Sequence, residues 1–128
     1  MRSEDGSHEA LMTRCKNVRP VMGAGVRLET TEEGTFLADY YTQQKVALNE
    51  VSCWMVSAFD GGRTIWDIAG DMSRDFDADQ VAIGADLLEL FNCLNKNGLA
   101  FNSLDKGFLF FHFYHDLVAF IFPKARWI

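Results

Sequence analysis

A group of potential metal ligands lies near the C-terminus of this sequence. His112 and His115 are three residues apart, so a helix would bring both imidazoles to one side, with the carboxylate of Asp116 adjacent. The polar edge of a buried apolar segment explains these residues better, because an HxxHD string recurs easily by chance. A metal-dependent function is therefore the least favoured alternative, and the sequence predicts no metal or other cofactor.

Catalytic motifs are not found elsewhere in the chain. There is no P-loop, no GxGxxG after a strand, no GxSxG and no HExxH. Cys53 has no histidine close in sequence and lies in an apolar helical pattern, which favours packing over nucleophilic attack. Gly61 and Gly62 lie between helical patterns without a preceding strand, and they predict a turn rather than a phosphate-binding loop. The sequence predicts a protein that is not an enzyme.

Composition restricts the class of partner. The chain has 128 residues, of which 48% are hydrophobic, and this predicts one globular domain with a modest core. Its net charge of -6 disfavours a surface that neutralises phosphates, so nucleic acid is not expected as a partner. Three cysteines without CxxC spacing indicate a reducing, cytoplasmic setting. Residues 1–17 lack the apolar core of a signal peptide and predict a polar, mobile tail.

Two periodicities divide the central part of the chain. Residues 26–48 alternate with a period near 2, which predicts three antiparallel strands after an irregular loop, VRPVMGAG. From Asn49 onward the period is 3.6, which predicts three helices. Asn49 and Thr64 are the expected N-caps of the first and second helices. At the start of the third helix, Asp77 and Gln80 repeat the three-residue spacing of a capping box.

The last part of the chain is apolar. The segment Phe108–Phe122 fits either a helix or strands, and periodicity does not distinguish them. As a helix it would reach about 22 Å, short of the roughly 30 Å hydrocarbon core of a bilayer. No membrane span is therefore expected. Such a segment is buried within the chain, or it forms a homodimer or an interface with a partner enzyme.

The order of these elements is accompanied by specific residues. VALNEVSCWMVSAFDGGRTIWDIAGDMSRDF, followed by DLLELFNCLNKNGL, resembles the PqqD-like family in its Leu-Asn strand end, its Asp-Gly turn before Arg-Thr, and its final Gly-Leu. The matching residues are Leu48, Asn49, Phe59, Asp60, Gly61, Arg63, Thr64, Ile68, Ala69, Asp86, Leu94, Gly98 and Leu99. The second glycine of the Gly61-Gly62 pair is an addition to the family turn. The resemblance divides the chain into a tail (1–17), a PqqD-like domain (18–101) and an apolar extension (102–128).

The resemblance implies a fold and a function. The fold is α+β and winged-helix-like, with a three-stranded antiparallel sheet followed by three helices and, in this chain, the apolar extension. The function is that of a RiPP recognition element, a non-catalytic chaperone for a ribosomally synthesised precursor peptide. It binds the leader of that peptide and presents it to a modifying enzyme, often a radical S-adenosylmethionine enzyme.

In the family the leader lies between the third strand and the third helix. The strand residues at these positions are Lys45, Val46, Ala47 and Leu48, and the helix residues are Gln80, Val81, Gly84, Leu87, Leu88 and Phe91. An open edge strand can accept a further strand through its unpaired peptide groups, which agrees with this role. Ordinary core packing explains half of these residues equally well. A glycine inside a helix costs about 1 kcal/mol relative to alanine, so Gly84 indicates close approach of either a strand or a helix.

DNA binding is the main alternative, because winged-helix topology also serves it. Reading a DNA groove requires basic residues on the recognition helix, and DADQVAIGADLLELFN contains none. Peptide binding is therefore the favoured function.

Overall fold

Four helices and five strands make up the described part of this computed structural model, which covers residues 2–105, with side chains from residue 8 onward. In chain order the elements are α1 (Arg2–Lys16), β1 (Pro20–Met22), β2 (Val26–Thr31), β3 (Gly34–Asp39), β4 (Gln44–Leu48), α2 (Glu50–Ser57), α3 (Ile65–Phe76), α4 (Gln80–Lys96) and β5 (Ala100–Asn102). The predicted α+β fold, with three strands followed by three helices, is confirmed for β2 to α4.

The main sheet has the strand order β2-β3-β4, and both pairings are antiparallel. Leu37 at its centre pairs with Leu28 on one side and Val46 on the other, and is 1% exposed. Exposure alternates along β4, where Val46 and Leu48 pack against the core while Lys45 and Ala47 face solvent. This alternation is the expected pattern for a sheet that covers a core with one face.

Two capping boxes begin α2 and α3. The Asn49 side chain accepts a hydrogen bond from the backbone N–H of Ser52 (2.8 Å), and the Ser52 hydroxyl accepts one from the N–H of Asn49 (2.9 Å). Thr64 and Asp67 exchange the same pair of bonds at 3.1 and 3.2 Å. Both predicted caps are confirmed. Each satisfies two N–H groups that the helix itself leaves without acceptors.

Removing the Thr64 cap is expected to lower the free energy of unfolding. Thr64→Ala should cost about 1 kcal/mol, because the N–H of Asp67 loses its acceptor at the start of α3. Urea denaturation followed by circular dichroism measures the change. Thr64→Ser keeps the hydroxyl and should remain close to wild type; an equal loss in both variants would show that the methyl group matters rather than the cap.

The N-terminal residues differ from the prediction of a polar, mobile tail. Residues 2–16 form α1, which packs against α3 and α4. Cys15 is 0% exposed, and burial raises the pKa of its thiol, an effect that the nearby Arg14 partly opposes. Leu11 packs against the same core, one turn before Cys15. So narrow an apolar stripe in a polar helix leaves little periodic signal, which explains the wrong prediction.

Two short strands were also missed. The segment predicted as an irregular loop contains β1, which pairs antiparallel with β5 through Val21 and Phe101. Both strands have three residues, too few for an alternating pattern to be recognised.

The start of α4 is one further correction. Asp79 is the N-cap and accepts a hydrogen bond from Ala82 N–H at 3.1 Å, whereas Asp77 ends α3 with a left-handed φ of 49°. Gly98 follows α4 with a φ of +74°, as predicted for a residue that ends a helix.

The cysteines of the helical patterns are less buried than expected. Cys53 is half-buried and Cys93 is exposed, and neither forms a disulfide.

The C-terminal predictions lie outside the described residues. They concern the segment Phe108–Phe122, the group His112, His115 and Asp116, and a homodimer through the apolar extension. Within residues 2–105 no helix is long and apolar enough to cross a bilayer.

Candidate functional site

Strand β4 is an edge of the main sheet. Among the described residues it pairs only with β3, which leaves its other edge free. At the start of β4 the Gln44 side chain donates to the carbonyl of Asn97 (3.0 Å), which follows α4. Beyond the end of β4, Asn49 shares a cleft with Asp86 and Glu89 of α4. β4 therefore runs from the end of α4 toward the middle of that helix.

The sheet register determines which peptide groups of β4 are unpaired. Tyr40 N–H donates to Gly25 C=O at 3.0 Å, and this pair directly continues the β2–β3 register. Hydrogen-bonded pairs alternate along an antiparallel ladder, so Leu37 of β3 directs its peptide groups toward β4. Its partner Val46 therefore bonds β3, whereas Lys45 and Ala47 present their N–H and C=O groups at the free edge.

A cleft lies between the start of α2 and the outer face of α4. This α2–α4 cleft has a volume of about 380 Å³. Its α2 side is lined by Asn49, Val51, Ser52 and Met55, and its α4 side by Asp86, Glu89, Leu90 and Cys93. Because it begins where β4 ends, a chain lying along the free edge of β4 would run directly into it.

A second cavity adjoins this cleft. The aromatic pocket, of about 510 Å³, lies where α2, α3 and α4 meet, and shares Val51, Met55 and Asp86 with the α2–α4 cleft. Its other lining residues are Glu50, Trp54, Met72, Phe76, Ala78 and Ile83. The shared residues make the cleft and the pocket one continuous surface.

A larger cleft of about 690 Å³ adjoins the aromatic pocket, and Glu50 and Trp54 line both. Its two arginines are already paired, since Arg63 contacts Asp71 at 2.9 Å and Arg74 contacts the same carboxylate. Those ion pairs connect neighbouring parts of the chain and give this cleft a structural explanation.

The predicted strand residues and helix residues lie in different environments. Lys45 to Leu48 form the edge strand, as expected. On α4, Leu87, Leu88 and Phe91 are at most 4% exposed and belong to the core. The structure therefore does not bring these three side chains to an open surface beside β4.

Two of the remaining predicted helix residues, Gln80 and Gly84, contact α1 or α3. A Cβ added at Gly84 would lie 3.3 Å from Cys15 Sγ and 3.8 Å from Ala69 Cβ, so this glycine allows close helix packing. The Gln80 side chain donates to the Trp66 carbonyl at 3.3 Å, and Val81 is half-buried.

Sequence reasoning missed most residues of the α2–α4 cleft and the aromatic pocket. Val51 and Trp54 fit the apolar stripe of α2, yet they are 58% and 40% exposed. Phe76 at the end of α3 is 57% exposed. Periodicity identified the stripe, but it does not separate a buried side chain from one left open to a partner. Within residues 2–105, no three His, Cys, Asp or Glu side chains lie together as a metal site.

Three comparisons with known proteins bear on this arrangement. The family model described as "Coenzyme PQQ synthesis protein D (PqqD)" matches residues 34–100, which span β3 to the start of β5. A "PqqA binding protein" of Xanthomonas axonopodis pv. citri (strain 306) is 30% identical over 84 residues, covering 66% of this chain and 91% of the relative. One of Xanthomonas oryzae pv. oryzae (strain KACC10331 / KXO85) is 32% identical over 87 residues, with the same coverage.

A solved structure shares the fold. "Lasso peptide synthetase B1 complexed with the leader peptide" superposes with a TM-score of 0.56 at 19% identity, and the match covers 65% of this chain and 98% of the other. At that identity the likeness concerns the fold alone.

Proposed function

This chain belongs to the PqqD family, and from that premise we propose that it is a non-catalytic peptide chaperone. It binds the leader of a ribosomally synthesised precursor peptide and presents that peptide to a modifying enzyme. The observation that carries the proposal is the free edge of β4, where Lys45 and Ala47 present peptide groups that no strand of the described residues pairs. The names of the relatives, which specify binding of PqqA, and of the structural neighbour, which specifies a leader peptide, support it.

The leader binds by adding a strand to β4. Its main chain bonds the peptide groups of Lys45 and Ala47, each bond contributing about 1 kcal/mol net. Ordering a flexible peptide opposes binding, so these few bonds need apolar contacts in addition. Leu90 and Val51 in the α2–α4 cleft are suited to supply them. The balance corresponds to an affinity of about micromolar strength.

The site proposed on β4 keeps the four strand residues of the sequence prediction, Lys45 to Leu48. On α4 the contacts move from the buried stripe to the outer residues that line the cleft, which are Asp86, Glu89, Leu90 and Cys93. The original helix residues act through packing, because they hold α4 in position beside the strand.

The partner enzyme and the compartment are part of the same proposal. A radical S-adenosylmethionine enzyme is the class of modifying enzyme that the family resemblance implies. A cytoplasmic location is supported by the three free thiols, which suit a reducing compartment. DNA binding gains no support, because Lys96 in the last turn is the only basic residue of α4.

Titration of the isotope-labelled full chain with a synthetic leader tests the proposal. The peptide has the sequence of the leader of any short precursor encoded near this gene, and a scrambled version serves as control. We expect amide chemical shifts to change at β4 and along the outer face of α4, because a new strand alters both. Changes confined to β2, or equal changes with the scrambled peptide, would contradict strand addition at this edge.

A further inference from the structure

The aromatic pocket leaves three large apolar side chains open to solvent. Val51, Trp54 and Phe76 are 58%, 40% and 57% exposed. The rings of Trp54 and Phe76 meet edge to face, with centroids 5.4 Å apart. Adjacent exposed aromatic side chains over a recessed floor are typical of sites that bind a large apolar group.

Carboxylates surround this apolar surface. Glu50 and Asp86 line the aromatic pocket, and Asp86 and Glu89 line the α2–α4 cleft. Within residues 8–105, no Lys, Arg or His lines either cavity. Among the described residues, no cation forms an ion pair with these three carboxylates, whereas Asp71 in the larger cleft is paired with two arginines. The uncompensated negative charge favours an occupant that carries positive charge.

Asp86 is the carboxylate with the clearest role in binding. Glu50 lies in the first turn of α2, where a negative charge stabilises the helix N-terminus in any case. Asp86 lies in the middle of α4, is exposed, and lines both cavities. It therefore lies where the apolar pocket and the path of a bound strand meet.

The direction of β4 determines which end of the peptide reaches this place. β4 runs from Gln44 beside the end of α4 toward Asn49 at the α2–α4 cleft. A peptide strand antiparallel to β4, continuing the pattern of the sheet, has its N-terminal end at the cleft. Residues that precede the paired segment then lie over the cleft and the aromatic pocket.

We propose that the leader carries, just before its strand-forming segment, a large apolar residue that enters the aromatic pocket and a Lys or Arg that faces Asp86. This inference rests on the proposed function and adds the leader's sequence class to it. The surface selects apolar-basic leaders and rejects acidic ones, because an acidic side chain would meet Asp86, and no Lys, Arg or His of the described residues lines the two cavities that Asp86 borders.

A phage-displayed library of random linear peptides tests the inference with the full-length protein. We expect the retained peptides to carry Lys or Arg next to Phe, Trp, Leu or Met. Asp86→Lys should lose this preference. Its affinity for a selected basic peptide, measured by fluorescence anisotropy, should be about fivefold to tenfold lower than that of wild type. Glu33→Lys, in the exposed turn between β2 and β3, makes the same change of charge at a residue that lines neither cavity, and should leave the preference unchanged.

The apolar half is tested separately. Phe76→Ser should lower the affinity for the same peptide about tenfold. The melting temperature should remain near that of wild type, because this ring is more than half exposed. Peptides retained without a basic preference, or a preference that survives Asp86→Lys, would overturn the inference and assign the surface to another partner, leaving the proposed function intact. If wild type retains no peptide at all, the proposed function fails and this inference fails with it.

Discussion

Ala47→Pro is expected to lower leader affinity at least about tenfold while the domain stays folded. Ala47 directs its N–H toward the free edge of β4, so proline removes a donor that the sheet does not use. The pyrrolidine ring also occupies the space where a new strand would pair. Isothermal calorimetry with the leader, together with thermal denaturation, measures both effects.

The neighbouring residue is the matched control for this experiment. Val46 pairs with Leu37 and bonds β3, so Val46→Pro removes a hydrogen bond within the sheet and should lower the melting temperature markedly. Ala47→Val keeps the N–H and should bind almost normally. Tight binding by Ala47→Pro would contradict strand addition at this edge.

Leu87→Ala is expected to have the largest effect on stability. Leu87 is 0% exposed in the core, and truncation of such a leucine lowers the free energy of unfolding by about 2–5 kcal/mol. The folded fraction should bind the leader within about twofold of wild type, because the residue does not reach the open surface. Urea denaturation and anisotropy at low temperature separate the two quantities.

Leu90 lies one turn further along and provides the comparison. It is half-buried and lines the α2–α4 cleft, so Leu90→Ala should lower affinity about fivefold with a smaller loss of stability. The reverse result, with affinity lost in Leu87→Ala and kept in Leu90→Ala, would return the binding site to the helix stripe predicted from sequence.

Local interactions made most of the fold predictable. The strands β2 to β4 alternate visibly, and the caps at Asn49 and Thr64 involve residues only three positions apart. The missed elements depend on distant partners. Cys15 of α1 contacts Gly84, which is 69 residues away, and β1 pairs with β5 through Val21 and Phe101. Neither contact leaves a periodic signal in its own short stretch of sequence.

The strand side of the candidate site could be predicted from the sequence, whereas its helix side could not. The end position of β4 in the sheet follows from the order of the strands. The apolar stripe of α4 could serve a groove or a core, and the prediction of a tail at residues 1–17 provides no helix to pack against it. Once α1 packs beside Gly84, that stripe is enclosed, and the open face of α4 is the neighbouring one.

The pairing of β1 with β5 has a consequence for how such a unit can be reused. Pro20 lies opposite Asn102, and the Asn102 side chain bonds both Arg19 N–H (2.9 Å) and the Asn17 carbonyl (3.0 Å). The two ends of the stretch from β1 to β5 therefore lie next to each other. A unit whose two ends adjoin can be inserted into a surface loop of a host protein without stretching either chain. The two short strands therefore hold the two ends of this stretch together, while Cys15 of α1 completes its core from outside the stretch.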